Sequence, residues 1–209
     1  MNADKAPSAA SFDQRLTLMT VFAVDLLKHL KERSDDYSIV PVDIGVTTVP
    51  YYTDKSAAIE DEGGQFYGDN KAKHIHLVGF DTLTRFFAAK YYPNHNPPFS
   101  ALNPYFDNGH RLRVTLRPDD QYGSLDEQKA FLKRLETGEM EKDGGKREWA
   151  SQVEMVPPNE KAGVSSTRIR KAAKRGDWEE VQRLCMSGVA EYVKSEGLYK
   201  DDDRGAKMA

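Results

Sequence analysis

The chain has 209 residues, of which 39 % are hydrophobic and 30 % charged, with a formal net charge of −3. That is a soluble globular balance, enough for one domain with a normal core, and it excludes a disordered polymer or a protein whose overall field would recruit nucleic acid or an anionic membrane. Cys185 is the sole cysteine, so no disulfide closes within the chain and a reducing compartment, cytoplasmic, nuclear or both, is expected.

In chain order, residues 1–10 are rich in Ala and Pro and read as loop, with no apolar run of the secretory kind. Ser11 and Gln14 form a capping box that opens a helix to about Arg33. Its apolar stripe is Phe12, Leu16, Met19, Ala23, Leu26 and Leu30. Asp25, Lys28 and His29 interrupt the apolar stretch from Leu16 to Leu30, which is too short and too polar to span a bilayer. The β-branched run Ile39 to Val46 predicts a strand, and Lys55 to Glu60 a helix that stops before Gly63-Gly64. Ile75 to Phe80 predicts a second strand, with a short helix beginning at Asp81.

Four prolines between Tyr91 and Phe106 predict a loop. Arg111 to Arg117 alternates as a strand, Ser124 to Leu135 reads as helix, and Trp149 to Val156 alternates again. Three helices are expected at the end: a basic one opened by Ser165, then Asp177 to Cys185 and Val189 to Glu196. Strands alternating with helices argue for an α/β domain over residues 1–199 with a mainly parallel sheet flanked by helices, followed by a polar tail at 200–209.

The segment Gly163-Val-Ser-Ser-Thr-Arg-Ile-Arg170 sets three hydroxyls at the mouth of a helix, with Arg168, Arg170 and Lys171 in its first two turns. Unpaired N–H groups at a helix start, reinforced by guanidinium groups, suit phosphate oxygens. On the residues alone, a capped surface helix with a solvated basic face is an equal reading. Asp177, Glu179 and Glu180 follow the basic run at once, which speaks against nucleic acid. His74 and His76 share a strand face, but no cysteine or nearby acidic cluster completes a ligand set, so no metal site is expected. Cys185 shares a helical face with Trp178, Val181 and Leu184 and reads as a structural thiol.

Ser165-x-Thr167-x-x-Arg170 resembles the S-x-T-x-x-R signature of the nucleotidyltransferase superfamily. Val189-x-x-Tyr192-Val193…Leu198-Tyr199 is similar to the closing pattern of the nicotinamide mononucleotide adenylyltransferase family, and Gly79-x-Asp81-x-Leu83 to its G-x-D-x-L. Arg117 resembles the arginine of its T-R-x-G, with Pro118 and Asp119 where the glycine is usual. Asp81 to Pro93, Asn2 to Pro7 and Ser11 to Leu16 resemble a fungal branch of these proteins, so the likeness spans nearly all of residues 2–199.

The resemblance implies a Rossmann-like nucleotidyltransferase fold that joins ATP to nicotinamide or nicotinic acid mononucleotide, giving a dinucleotide and pyrophosphate, with Mg2+ accompanying ATP. It assigns the ATP phosphates to Ser165, Ser166, Thr167, Arg170 and Arg117, the ATP ribose to Asp81 with Gly79 allowing close approach, and the nicotinamide ring to Tyr51 and Tyr52. A homo-oligomer is left open. The family's first strand, G-x-F-x-P loop and H-x-G-H motif do not occur in these 209 residues. The catalytic residues are therefore unassigned, the expected fold lacks its first strand, and the expectation is that the start codon is misplaced. Phosphopantetheine and cytidylyl transferases share S-x-T-x-x-R, but the closing pattern speaks against them. A nucleotide-binding or weakly ATP-hydrolysing regulatory protein without transfer activity is the alternative.

Overall fold

The structure is a computed structural model that describes residues 10–33, 40–67, 72–117, 122–158 and 166–200. It divides into two compact units, one formed by residues 47–163 and the other by residues 4–46 with 164–209.

The first unit is built on three parallel strands, β1 (Ile75–Gly79), β2 (Arg111–Thr115) and β3 (Val153–Val156), in the order β1-β2-β3. Val78 pairs with Val114, Gly79 with Thr115, and Val114 with Met155. Strict alternation in β2 puts Leu112 and Val114 inward and Arg111, Arg113 and Thr115 outward. The outward face also carries Ile75 and Leu77, the latter 77 % exposed. Helices α2 (Tyr52–Tyr67), α3 (Phe80–Phe86), α4 (Asn103–Asp107) and α5 (Leu125–Glu136) complete the unit. This is the expected α/β arrangement, a parallel sheet flanked by helices in Rossmann-like fashion.

The core of this unit is aromatic. Phe106 stacks on the buried Trp149 with ring centres 4.7 Å apart, and Phe86, Phe87, Phe99 and Tyr105 close around them. Within the segment 91–106, expected as a loop, residues 93–97 are an exposed turn, whereas Tyr92, Phe99, Leu102, Tyr105 and Phe106 belong to the core. Pro98 and Pro104 open a 3-10 turn and α4. Ser124 caps α5, its Oγ accepting from the Glu127 amide at 3.2 Å while Glu127 Oε2 accepts from the Ser124 amide at 2.7 Å.

Three other expectations are corrected. Residues 40–46 form no strand; Pro41 offers no N–H to a ladder, and Val40, Ile44 and Val46 are exposed. Ile39 lies outside the described residues. Helix α2 starts earlier and runs through Gly63-Gly64, since an interior glycine weakens a helix without forbidding it. Trp149 to Gln152 belong to a 3-10 turn, and only Val153–Val156 is strand.

The second unit packs α1 (Phe12–Arg33) with α6 (Ser166–Arg175), α7 (Trp178–Leu184) and α8 (Ser187–Ser195). Ala172, Ala173, Val181, Ala190, Val193 and Leu198 form its core. Asp25 of α1 accepts from the Gly188 amide at 2.8 Å, tying α1 to the start of α8. A Cβ at Gly188 would lie 2.9 Å from that carboxylate, so only glycine lets the two helices meet there. The capping box at Ser11 forms as expected. Of the stripe on α1, Ala23 is buried while Phe12, Leu16, Met19 and Leu30 remain exposed. No described helix is long and apolar enough to cross a membrane.

Candidate functional site

Adjacent parallel strands end in register at Gly79 and Thr115, and the chain delivers Asp81 and Arg117 two residues beyond each end. In open α/β sheets the carboxyl ends of the strands are where ligands bind. Asp81 is buried and does not stand alone. Its Oδ1 accepts from Arg117 Nη2 at 2.9 Å and from Nε at 3.2 Å, and its Oδ2 accepts from Arg85 Nη2 at 2.9 Å. Two guanidinium groups thus converge on one carboxylate.

Gly79 is required here by space and not by conformation. Its φ of −88° and ψ of 164° suit any residue, but a Cβ would lie 2.7 Å from Asp81 Oδ1 and 3.5 Å from Arg117 Nη2. The backbone of Arg117 is held by Gln128, a fully buried side chain on α5. The guanidinium lies over the Tyr122 ring, 5.3 Å from its centre. Tyr52 belongs to the same neighbourhood. Burial raises its phenol pKa, while Arg85 works against that shift and Asp81 adds to it. Tyr51 faces elsewhere, 6.4 Å from the rings of Tyr91 and Tyr92.

Arg85 and Gln128 were not singled out from the sequence. Arg85 is four residues after Asp81 on α3, the spacing that brings opposite charges together on a helix. Gln128 heads the stripe Gln128, Phe131, Leu132 and Leu135 on α5. A polar residue in a core position needs a buried partner, and that was the available signal.

The second unit carries the other group. Ser166 and Thr167 are exposed on the first turn of α6, and Thr167 Oγ1 accepts from Arg170 Nη2 at 3.2 Å. Ser165, the first residue of the motif, lies outside the described residues, as do Pro118 and Asp119. Arg168 turns away to Glu180, which also receives Arg183. Those guanidinium groups, Arg183 first, hold the Glu180 carboxyl below its ordinary range. Thr167 and Arg170 thus form one pair, and Gly79, Asp81 and Arg117 one cluster, while the Tyr52 ring packs on His76 with centres 5.0 Å apart.

A histidine network lies under α2. Ser56 Oγ and His76 Nε2 share a hydrogen bond of 2.9 Å, and His110 Nε2 lies 3.1 Å from Glu60 Oε1. Ligand atoms of Glu60, His74 and His110 all fall within 4.8 Å of one another, and His74 Nδ1 is buried without a hydrogen-bond partner. The fold therefore brings a carboxylate to these histidines that the sequence reading had not placed there.

Two features nevertheless argue against an ion. The His74 and His110 rings are parallel within 3° at 4.4 Å, so their in-plane lone pairs do not converge on one point. His110 Nδ1 accepts from the His74 amide at 3.1 Å, so the ring's proton sits on Nε2, the nitrogen an ion would need. Burial, then the neighbouring His74 and His110, lowers the His76 pKa to about 4. Burial also lowers that of His110, with Glu60 opposing. Cys185 is half-buried, its thiol raised by burial and donating to Val181 O at 3.0 Å, a structural role.

No protein-family profile matches the chain, and no solved structure does. A curated protein of Schizosaccharomyces pombe, described as "Putative nicotinamide mononucleotide adenylyltransferase", is 28 % identical over 195 residues, covering 92 % of this chain and 70 % of the relative. Along nearly its whole length the chain is thus similar to a protein described as an adenylyltransferase of the family that its motifs resemble.

Proposed function

We propose that this chain is a nicotinamide mononucleotide adenylyltransferase-like protein that binds ATP and a pyridine mononucleotide and serves dinucleotide synthesis. The observation that carries this reading is the cluster of Gly79, Asp81 and Arg117 at the carboxyl ends of β1 and β2, joined by the similarity to the fission-yeast protein.

In the proposed reaction an oxygen of the mononucleotide phosphate attacks the α-phosphorus of ATP, and the bond to the β-phosphate oxygen breaks, releasing pyrophosphate. No covalent enzyme intermediate is involved, so the protein's part is positioning and charge stabilisation. Arg117 in one unit, and Arg170 with the hydroxyls of Ser166 and Thr167 in the other, each offer groups suited to phosphate oxygens. Tyr52, whose phenol feels the charges of Arg85 and Asp81, is the better candidate of the two tyrosines for a mononucleotide. These groups are cations and hydroxyls, and both oxygens of Asp81 are engaged by arginines. They do not form a ligand set for Mg2+, which enters as the counter-ion ATP carries, and no step is assigned to it.

The test is a calorimetric titration of the chain with ATP, beside Arg170→Ala. Saturable binding weakened about tenfold by the substitution, the loss of one charge-assisted hydrogen bond, supports the reading. Absence of ATP binding overturns it. A second reading is a nucleotide-binding or weakly ATP-hydrolysing protein. Assaying dinucleotide and phosphate release on the same sample separates the two.

A further inference from the structure

We propose that α2 is a releasable element, held on the sheet by a latch of two contacts, Ser56 with His76 and Glu60 with His110, that lets go in acid and takes Tyr52 with it. The consequence for a mononucleotide rests on the function proposed above; the latch itself does not.

Polar groups hold α2 down. Ser56 is the one α2 side chain buried among the described residues, and its hydroxyl meets His76 Nε2 at 2.9 Å. One turn on, Glu60 sets Oε1 3.1 Å from His110 Nε2, and its Oε2 accepts from Asn108 Nδ2 at 3.4 Å. Tyr52 packs on the aromatic core, but Ile59, Phe66 and Tyr67 are exposed, so little apolar burial backs these contacts. Gly63 and Gly64 lower the helix's own stability further. A helix of 16 residues without tertiary support is marginal in water, so breaking the latch opens α2 while the sheet stays folded.

The surroundings make the latch sensitive to protons. His74 has its ring centre 4.4 Å from that of His110 and 6.1 Å from that of His76, so a charge on one ring opposes a charge on the next. Facing the rings, among the described residues, are the Glu60 carboxylate, the Lys55 ammonium and the Tyr52 and Tyr105 phenols. Geometry resists a further proton on His110. Its Nε2 proton points to Glu60, so another must go to Nδ1, which already accepts from the His74 amide at 3.1 Å. Release of α2 opens these rings to water, where histidine titrates near 6.5, against about 4 for His76 under α2. Protons therefore bind the released form first. The latch is intact above about pH 6.5 and weakens as pH falls.

A rise in the His76 pKa from about 4 to about 6.5 on release favours the released form about tenfold more at about pH 5.5 than at about pH 7.5. Hydrogen–deuterium exchange of the whole chain at these two pH values, corrected for intrinsic rates, reads this from the α2 amides. Helix α5 of the same unit carries no histidine and serves as reference. Protection of α2 is expected to fall about tenfold at the lower pH, and that of α5 by less than about threefold. His76→Asn keeps a polar atom for Ser56 and should remove most of the fall. Equal protection of α2 at both pH values overturns the proposal, as does equal loss of protection by α2 and α5. A folded His76→Asn whose α2 responds to pH as wild type does is equally fatal. Should His76→Asn fail to fold, the wild-type comparison of α2 with α5 decides. Titration with nicotinamide mononucleotide at the same pH values tests the consequence separately. A loss of affinity in acid that His76→Asn lessens ties Tyr52 to the latch; binding that is absent, or undiminished in acid, leaves the latch and removes Tyr52 from the mononucleotide.

Discussion

Gln128 lies across the backbone of Arg117, its Oε1 accepting from the Arg117 amide at 2.9 Å and its Nε2 donating to the Arg117 carbonyl at 2.7 Å. The same Nε2 donates to the Gly123 carbonyl at 3.0 Å. A side chain here does what a neighbouring strand would do, satisfying the backbone just past the end of β2. Gln128→Leu keeps the volume and leaves these groups unpaired. Urea denaturation is expected to show a loss of about 3 kcal/mol, since each buried polar group stranded costs about 1–3 kcal/mol. ATP affinity should fall with it, because Arg117 loses its anchor. A loss under about 1 kcal/mol would mean that water replaces the amide without penalty.

Gly79→Ala tests whether the close approach of Asp81 is required. The backbone angles are ordinary, so the added methyl is resisted only by the Asp81 carboxylate, which two arginines hold in place. The expected penalty is about 1–3 kcal/mol, the range for overpacking a filled site. A double-mutant cycle makes the cause specific. In an Asp81→Ala background the clash partner is gone, and Gly79→Ala should then be nearly neutral in a thermal melt. An equal penalty in both backgrounds would point to the backbone instead.

Much of this fold was legible because local signals and tertiary packing agreed. The capping boxes at Ser11 and Ser124, the alternation in Arg111 to Thr115 and the Asp177 cap all form as their residues dictate. The failures share a cause. Residues 91–106 look like a loop by their prolines, yet their aromatics find Trp149 and Phe86 across the chain. Residues 40–46 look like a strand by β-branching, yet they have no partner strand among the described residues. In each case a contact distant in sequence decided what propensity left open. The site divides the same way. Gly79, Asp81 and Arg117 were visible through motif spacing, whereas Arg85 and Gln128 gain meaning only once the ends of β1 and β2 lie side by side.

The basic face of α6 separates into two roles. Arg168 is bound to Glu180, which also holds Arg183, while Arg170 donates to the exposed Thr167 hydroxyl. Arg168→Ala should therefore cost a little stability, as an exposed ion pair does, and leave ATP affinity unaltered. Arg170→Ala should weaken ATP binding. Equal losses of ATP affinity in the two variants, measured by calorimetry at one ionic strength, would show that α6 attracts nucleotide through its overall charge.

The histidine network makes stability depend on acid in a defined direction. Burial holds His76 to a pKa of about 4 and lowers that of His110, while an unfolded histidine titrates near 6.5. As pH falls, the unfolded chain therefore takes up protons before the folded chain does. The contribution is whole above about pH 6.5 and is lost progressively as pH drops through the folded values. Each histidine adds at most about 1.4 kcal/mol per pH unit across that window, and less for His76, whose ring solvent partly reaches. His76→Asn removes one titrating group while keeping a polar atom for Ser56, its hydrogen-bond partner. Urea midpoints for wild type and His76→Asn between pH 7.5 and 4.5 give the difference directly, with the carboxylates common to both. The wild type should lose stability more steeply below pH 6.5. Parallel curves would show that His76 gains its proton equally in the folded and unfolded chains, and that the network under α2 contributes nothing pH-dependent through it.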